Sequence, residues 1–247
     1  MDLGLNGKRA IVAAGTAGLG LGAAMALAAE GAHVAVCGRD AERLAAAVES
    51  IGLGAIGMEA DVSTVAGAEA FIAAARHELG GVDILVTNGG GPAAGNAATT
   101  PLESYPGALE LNLTSQVAMC LACVEEMKAQ QWGRIVAITS VAVRQPIAHL
   151  ILSNTARSGY TGFLKTLARE VASFGVTVNS LQPGLHATDR LIALYDDPAA
   201  VAATIPAGRL GDPADFGAFV AWMCSTRAAF VTGAQIPVDG GAYAGLL

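Results

Sequence analysis

Three polar side chains stand at one-turn spacing near the start of a predicted helix, in the stretch LILSNTARSG at residues 150–159. They are Ser153, Asn154 and Arg157, and the strand predicted before them ends at Ser140. Serine hydroxyls can hydrogen-bond a carbonyl oxygen, and a guanidinium can hold hydroxyl groups or stabilise an oxyanion. Neither group is a general acid near neutral pH, because both hold their protons too tightly. The stretch is therefore a working active site, an altered one, or a solvated helix start.

A proton donor for this site has to be sought elsewhere in the sequence. His149 lies four residues before the serine of this helix, and imidazole suits proton transfer near neutral pH, although an exposed loop histidine is the alternative. His186 lies on a loop after a predicted strand, with the same two interpretations. Tyr160 lies about 10 Å further along the helix axis, which predicts a place in the core or an interface. Water held by Asn112 and Ser140 is the third route.

Short β-rich segments alternate with long alanine-rich segments, which is typical of a parallel sheet with crossover helices. The predicted strands are residues 9–14, 33–38, 55–60, 83–88, 134–140, 177–183 and 235–240. The predicted helices, with apolar residues at three- and four-residue steps, are residues 19–31, 40–52, 67–80, 104–130 and 154–174. We therefore predict an α/β fold, a doubly wound parallel sheet with helices on both faces, in a single domain spanning residues 1–247.

A glycine-containing turn, VAAGTAGLG at residues 12–20, joins the first predicted strand to the first predicted helix. At such a place a dinucleotide pyrophosphate binds to backbone N–H groups at the helix N-terminus. A glycine motif alone also fits an ordinary β–α turn, but its position directly after the first strand favours the dinucleotide site. The predicted cofactor-binding residues of this turn are Ala14, Gly15, Thr16, Ala17, Gly18 and Leu19.

The end of the second predicted strand, CGRD at residues 37–40, indicates which dinucleotide is preferred. An NAD-preferring site places an acid there to hold the ribose 2′-hydroxyl. Here Gly38 fills that place and Arg39 follows it, and a cation beside an acid-free strand end suits a 2′-phosphate. The sequence therefore favours NADP(H) over NAD(H), with Arg39 as a cofactor-binding residue; the alternative is that Arg39 is merely solvated.

The composition opposes several classes of function. A formal net charge of −7 opposes nucleic-acid binding, which needs clustered Lys and Arg. The N-terminal segment resembles no signal peptide, and glycine or charged residues interrupt the apolar runs before ~18 residues, so we expect no membrane span and a cytoplasmic protein. Cys120 and Cys123 form a C-x-x-C in a helical pattern, which predicts buried thiols. No cluster has zinc-ligand spacing, so we expect no metal.

These motifs together resemble the short-chain dehydrogenase/reductase family, especially its 3-oxoacyl-acyl-carrier-protein reductase-like branch, over nearly the whole length. The family's T-G-x-x-x-G-x-G motif aligns with residues 13–20, its N-N-A-G with TNGG at 87–90, and its C-terminal signature with residues 205–216 and 230–241. The resemblance implies a Rossmann-type fold and a nicotinamide coenzyme. It also implies further coenzyme contacts at Asp61, Val62, Asn88, Gly89, Gly90, Pro183, Gly184, Leu185 and Thr188.

The resemblance also defines a reaction site. It places Asn112 at the family's active-site asparagine and Ser140 at the serine that holds the substrate carbonyl. The family's Tyr-x-x-x-Lys pair, thirteen residues after that serine, aligns with Ser153 and Arg157. In the family the tyrosine exchanges a proton with the substrate oxygen, and the lysine holds the coenzyme ribose and lowers the tyrosine pKa. Ser153 can hydrogen-bond a carbonyl and Arg157 can hold the ribose, so the pair predicts altered proton chemistry.

The sequence thus favours an atypical oxidoreductase that uses NADP(H) on a carbonyl or hydroxyl group of a small-molecule substrate. Its predicted catalytic residues are Asn112, Ser140, His149, Ser153 and Arg157. Two other functions remain open: a non-redox lyase, isomerase or cyclase on the same scaffold, and a catalytically silent dinucleotide-binding or regulatory protein.

The resemblance also bears on assembly and on the cover of the cleft. The family's subunits pair through helices that correspond to residues 104–130 and 154–174, with a second contact at the C-terminal strand. We therefore expect a homotetramer, with a dimer as the fallback. The segment around Tyr195 corresponds to the family's mobile lid, which closes over substrate.

Overall fold

The computed structural model describes residues 1–195 and 197–246, in which strands and helices alternate along the chain. The strands are β1 (Arg9–Val12), β2 (His33–Gly38), β3 (Ile56–Glu59), β4 (Ile84–Thr87), β5 (Gly133–Ile138), β6 (Val176–Pro183) and β7 (Gln235–Val238). The α-helices are α1 (Gly18–Ala29), α2 (Ala41–Ile51), α3 (Val65–Leu79), α4 (Ser104–Leu109), α5 (Ser115–Ala129), α6 (Ile151–Val171), α7 (Asp189–Leu194), α8 (Pro198–Ala203) and α9 (Pro213–Cys224). Every predicted strand and helix has its counterpart among them.

The strands form one parallel sheet in the order β3-β2-β1-β4-β5-β6-β7. Its central strands are runs of Val, Ile, Leu and Ala, and every residue of β4 and β5 is buried. Strands buried on both faces need a layer of helices on each side, because their alternate side chains point in opposite directions. The predicted doubly wound parallel sheet is confirmed.

Two apolar layers enclose the sheet. Helices α1, α2 and α9 cover one face, and α3, α5 and α6 cover the other. The backbones of α1 and α9 touch: a side chain at Gly22 would meet the carbonyl of Pro213, and one at Gly217 would meet the carbonyl of Gly22. These glycines let α9 pack tightly on α1, the helix that follows the glycine turn.

The longest apolar helical stretch is Ser104–Ala129, which combines α4, a π-helical turn (Glu110–Thr114) and α5. By length and composition it could cross a membrane, since its most apolar window has a mean hydropathy of 1.3. It passes this test because the glycine and charged residues that interrupt its apolar runs are too few to lower the average. The stretch packs against α3 and the sheet, with 44% of that window buried, so it fits a core helix equally well. One such helix is weak evidence for a membrane.

The C-x-x-C of α5 lies in the core. Cys120 and Cys123 are both buried with free thiols, and burial raises the pKa of Cys120 to about 12. A thiol that holds its proton so firmly is a poor nucleophile and metal ligand. The described residues, 1–195 and 197–246, contain no group of three His, Cys, Asp or Glu side chains arranged to hold a metal ion.

The strand order reverses between β1 and β4, and this switch point determines where a ligand can enter. The first crossover leads from β1 outward through β2 to β3, whereas β4 starts the other half of the sheet on the opposite side of β1. The loops that follow β1 and β4 therefore part at their carboxyl ends and leave a crevice between them. The predicted site residues lie along this edge.

Candidate functional site

One large cleft, of about 1540 Å³, opens at the carboxyl ends of the strands. It is lined by most of the residues predicted for the site: Ala14, Thr16, Ala17, Gly18, Leu19, Arg39, Asp61, Val62, Asn88, Gly89, Gly90, Ser140, Ser153, Arg157, Pro183, Gly184, Leu185 and Thr188. The structure does not bring Gly15, Asn112 or His149 to the wall of this cleft. The glycine turn, the strand ends and the start of α6 therefore share a single space.

The glycine turn contains an alanine in left-handed backbone. Ala14 has φ +47°, its N–H donates to the Sγ of Cys37 (3.3 Å), and its carbonyl accepts from Nδ2 of Asn88 (3.2 Å). Left-handed backbone costs an L-residue roughly 1–2 kcal/mol, and glycine is the residue that avoids this cost. Gly15 lies behind the wall, where a side chain would meet that of Val36. The absence of a side chain at Gly15 therefore lets the turn pack closely against Val36 of β2.

Two arginines line the end of the cleft beyond β2. The strand end carries no acid: it is occupied by Gly38, where a side chain would meet the methyl group of Thr16. Arg39 is 75% exposed and lies 4.0 Å from Asp61, whose pKa is lowered by hydrogen bonds from Ser63 and by the arginine. Arg43, in the first turn of α2, lines the same end. This end of the cleft therefore carries guanidinium groups within reach of solvent.

The hydroxyl of Ser140 is oriented by the backbone. Ser140 follows β5 directly, and its Oγ accepts a hydrogen bond from the N–H of Ala142 (3.1 Å) at the start of a short 3₁₀ turn. The strand end below is fixed by Thr139, whose Oγ1 is 2.7 Å from Oγ of Ser180 on β6. With one lone pair of Ser140 occupied, its O–H can be donated to a ligand in the cleft.

Ser153 differs from the other aliphatic hydroxyls of α6. Thr155, Ser158, Thr161 and Thr166 each donate to the carbonyl four residues earlier, at 2.8 to 3.2 Å. Ser153 makes no such bond, and its hydroxyl has no partner within the part of the chain that the structure describes. It is only 7% exposed and lines the cleft. Its hydroxyl is therefore available to hydrogen-bond a water or a ligand in the cleft.

Arg157 joins α6 to the end of β5. Its Nη1 donates to the carbonyls of Ile138 and Thr139, at 3.2 and 3.1 Å. The two carbonyls immediately precede Ser140, so the guanidinium fixes the segment that carries this serine. The positive charge is also held at the wall of the cleft, where it acts on any ligand oxygen placed nearby.

Asn112 lies just behind the wall, in the π-helical turn between α4 and α5. Its Nδ2 donates to the carbonyl of Gly90 (2.9 Å), which ties the loop after β4 to this helix. Its Oδ1 is buried without a hydrogen-bond partner. Such π-helical turns are frequent at functional sites, and a buried amide oxygen without a partner is a place for a bound water.

The other candidate proton donors lie in three different environments. His149 is exposed, with φ +61°, and its carbonyl accepts from Gly95. His186 lines the cleft but is buried edge-on against Phe216, and burial lowers its pKa. Tyr160 is in the core, as predicted: its OH is 2.7 Å from Oγ1 of Thr87, and burial raises its pKa.

Arg43 and Tyr243 are among the cleft-lining residues that the sequence analysis did not single out. Arg43 had a signal, because it follows Arg39 by four residues and lies on the first turn of a predicted helix. Tyr243 had none: the chain after β7 folds back, so that its N–H donates to Asp239 (2.8 Å) and its ring lies 5.5 Å from the guanidinium of Arg144. Tyr195, in the predicted lid, also lines the cleft.

A parallel sheet with a glycine turn at its switch point, followed by hydroxyl and guanidinium groups along the same cleft, defines a dinucleotide-binding α/β enzyme scaffold. Residues 13–243 match the family model described as enoyl-(acyl carrier protein) reductase. The chain is 37% identical over 242 residues to the 3-oxoacyl-[acyl-carrier-protein] reductase FabG of Vibrio cholerae, covering 98% of this chain and 99% of that protein.

Solved structures show the same likeness. L-sorbose reductase from Gluconobacter frateurii, complexed with NADPH and L-sorbose, matches with a TM-score of 0.94 and 30% identity over 100% of both chains. A variant of actinorhodin polyketide ketoreductase with NADPH matches with a TM-score of 0.90 and 32% identity, over 95% of this chain and 97% of that one. The chain belongs to the short-chain dehydrogenase/reductase family of oxidoreductases. The family predicted from its motifs is confirmed.

Proposed function

We propose that this protein uses NADP(H) to reduce a carbonyl group of a small molecule, or to oxidise the matching hydroxyl, with a proton donor other than the family's tyrosine. One observation carries the proposal: Ser153, whose hydroxyl makes no hydrogen bond to the described residues, lines the same cleft as Ser140 and the glycine turn. A hydroxyl in that position serves a ligand oxygen, because the fold itself does not use it.

The residues of the cleft fit a nicotinamide dinucleotide. The N–H groups at the start of α1 would hold the pyrophosphate, and Gly18, at φ +53°, keeps this approach open, since a side chain there would crowd Thr188. Asp61, Val62 and Asn88 would hold the adenosine half and the central part. When bound, the coenzyme would supply or accept a hydride equivalent, and the residues of the cleft would bind and orient the coenzyme and the substrate.

Preference for NADP(H) is supported by charge. Arg39 and Arg43 line the end of the cleft where the adenosine ribose would lie, and Gly38 leaves no carboxylate at the strand end. A guanidinium fork matches a phosphate group geometrically and electrostatically. The L-sorbose reductase and the polyketide ketoreductase were both solved with NADPH, which favours the same coenzyme here.

At the other end, Ser140 and Ser153 would donate hydrogen bonds to the reacting oxygen of the substrate. Both hydroxyls lie at the wall, one at the end of β5 and the other in the first turn of α6. Arg157 would stabilise negative charge on that oxygen and keep Ser140 in place through the two carbonyls that it binds. These groups polarise and orient an oxygen without supplying the proton.

We infer that a water anchored at Asn112 relays a proton from bulk solvent to the reacting oxygen, and that solvent returns a proton to this water. The Oδ1 of Asn112 is buried and lacks a partner, so it can anchor a water behind Gly90. His149 is a poorer candidate because its side chain does not line the cleft. His186 lines it, but burial favours its neutral form and its Nδ1 is engaged with the carbonyl of Gly184 (3.2 Å).

The substrate end of the cleft has a mostly apolar wall. Ile147, Leu150, Leu185 and Leu191 line it, together with Tyr195. Such a wall suits a small molecule with an apolar or mixed body, oriented by one oxygen at the two serines.

A coenzyme titration followed by an assay panel tests the proposal. We expect NADPH to bind more tightly than NADH by calorimetry, and NADPH to be consumed with at least one member of a panel of aldehydes, ketones and sugars. NADPH binding without consumption across this panel and a panel of alcohols with NADP⁺ would count against the redox reaction. Product formation without coenzyme turnover would identify a lyase, isomerase or cyclase, and no binding of either coenzyme would favour a regulatory role.

We also propose that residues 1–247 act as one domain and that the protein is a homotetramer, or failing that a dimer. A single sheet takes strands from Arg9 through Val238, which supports the first statement. Phe230, just before the last strand, and Leu121, on α5, are large apolar side chains that remain exposed. Light scattering on the purified protein tests the assembly. A cytoplasmic location stays a prediction from the composition.

A further inference from the structure

An ion pair connects the coenzyme end of the cleft to the short helix α7, which leads into the segment around Tyr195 that is predicted to form the lid. Nη2 of Arg43, in the first turn of α2, lies 3.5 Å from Oδ2 of Asp189, the first residue of α7. Both residues line the cleft. Since α2 follows β2 and α7 follows β6, the pair joins two elements from opposite halves of the sheet.

We propose that Arg43 and Asp189 form an ionic latch over the cleft, and that a 2′-phosphate on the coenzyme opens this latch by taking Arg43 from Asp189. Arg43 thereby becomes a specificity-determining residue that links the choice of coenzyme to the position of the lid. The inference rests on the proposed binding of NADP(H).

The strength of the pair suits such an exchange. The side chains of Arg43 and Asp189 are 59% and 83% exposed, and an exposed ion pair of this kind is weak. A phosphate monoester carries about two negative charges and three acceptor oxygens, which a guanidinium binds more strongly than a single carboxylate. The phosphate can therefore displace Asp189.

The lid side of the latch is linked to the rest of the site. Thr188 caps α7 and lies beside the glycine turn, where a side chain at Gly18 would come within 3.2 Å of its Cγ2. Further along the same segment, Leu191 and Tyr195 line the substrate end. A change at Asp189 is therefore transmitted through one short helix to the residues that cover the substrate.

The second arginine of this end has no such connection. Arg39 faces Asp61 at 4.0 Å, and these two residues follow the neighbouring strands β2 and β3 on the same side of the cleft. Arg39 can bind a phosphate without moving the lid. The two arginines therefore differ in role. Arg39 adds affinity for the coenzyme, whereas phosphate binding at Arg43 also breaks the ion pair with α7.

A double-mutant cycle in coenzyme binding tests the latch. Asp189→Asn removes the competitor of the phosphate, so NADPH should bind about two- to fivefold more tightly while NADH is unchanged. Arg43→Gln should weaken NADPH binding about tenfold. In the double variant the benefit of Asp189→Asn should vanish, because there is no arginine left to release. Calorimetry measures all four proteins with both coenzymes.

Glu42→Gln is the matched control, since Glu42 is an exposed acid beside Arg43 with no ion pair among the described residues. If Asp189→Asn alters NADPH binding no more than this control, or if its effect persists without Arg43, the latch is refuted while the proposed function stands. If the unaltered protein binds NADPH no better than NADH, the proposed coenzyme preference fails, and the latch fails with it. Hydrogen exchange of the α7 amides should be faster with NADPH than with NADH; equal rates would also contradict the latch.

Discussion

The two ends of the cleft are built from different parts of the chain. At the proposed coenzyme end, the glycine turn and the N-terminus of α1 present backbone N–H groups, and the side chains of Arg39 and Arg43 add charge. At the proposed reaction end, the polar groups at the wall are side chains, those of Ser140, Ser153 and Arg157. Backbone N–H groups remain when side chains are substituted. A site built from side chains can change its chemistry through two substitutions, such as those at Ser153 and Arg157. Under the proposed function, the coenzyme end would keep the family's scaffold while the reaction end has changed its chemistry.

The largest effect is expected from restoring the family's pair at the reaction end. Ser153→Tyr with Arg157→Lys should raise turnover of a simple ketone with NADPH by about 10²–10⁴-fold, because a phenol beside a cation can act as general acid. Steady-state rates measure the change. Ser153→Phe with Arg157→Lys is the control, since it adds the ring without the hydroxyl. Equal rates for the two double variants, with NADPH affinity intact, would show that the pocket has diverged beyond this pair.

Removal of the oriented hydroxyl should have the next largest effect. Ser140→Ala should lower kcat on the best substrate by about 10²–10³-fold and leave NADPH affinity unchanged, because one donor to the reacting oxygen is lost. Ser158→Ala is the control, as this exposed hydroxyl on α6 bonds only to the carbonyl of Asn154. If the Ser140→Ala variant is as active as the control, Ser140 does not bind the reacting oxygen.

A smaller change is expected at the coenzyme end. Arg39→Gln should weaken NADPH binding by about tenfold and leave NADH binding nearly unchanged, because only the 2′-phosphate uses the guanidinium. Arg209→Gln, an exposed arginine away from the cleft, controls for the loss of net charge. Titration of both variants with both coenzymes measures the ratio of affinities. If that ratio is the same for both variants, Arg39 is not a phosphate contact.

A still smaller effect should come from the glycine turn. Ala14→Gly should stabilise the protein by about 0.5–1 kcal/mol, because left-handed backbone no longer strains a side chain and this gain exceeds the extra chain entropy of glycine. Denaturant unfolding measures the free energy. Ala13→Gly, in the buried residue just before it, should instead destabilise. Loss of stability in both variants would mean that the methyl group of Ala14 contributes packing that outweighs the strain.

The smallest change concerns His186. Burial lowers its pKa, so the folded protein binds fewer protons than the unfolded chain below the ordinary value of ~6.5. Stability from this residue is full above that value and falls as the pH drops toward the folded pKa. His186→Gln should flatten the dependence between about pH 8 and about pH 5. His33→Gln, at an exposed position, should not; identical profiles for the two variants would contradict the assignment.

Much of this molecule could be predicted from local patterns. The strands are short apolar runs that lie between segments with a helical hydrophobic pattern, and this contrast marks where they end. Strand β2, at His33–Gly38, matches its predicted range at both ends. The positions of Ser140, Ser153 and Arg157 followed from spacing along the chain, because a strand end and the first turn of a helix keep their residues in register. Helices α7, α8 and α9 were not predicted. Six residues are too few for a hydrophobic period in α7 and α8, and α9 is apolar at most of its positions and so shows no clear period.

Other features depend on contacts that no local pattern records. The π-helical turn that withdraws Asn112 behind Gly90 arises from packing between α4, α5 and α6. His149 looked suitable by its spacing, yet its left-handed backbone turns the loop before α6 toward Gly95. Tyr243 reaches the cleft only because the chain after β7 returns to it.

The anchoring of Arg157 to two main-chain carbonyls has a consequence for selectivity. A flexible cation would adjust its position to each substrate and bind any anionic group within its reach. The guanidinium of Arg157 is instead held in place by the end of a strand of the sheet. Molecules of different length therefore meet the same electric field at one fixed point, and discrimination among them falls to the shape of the surrounding walls. Changes of substrate range should accordingly arise in the segments that border the cleft, without any exchange of its charged group.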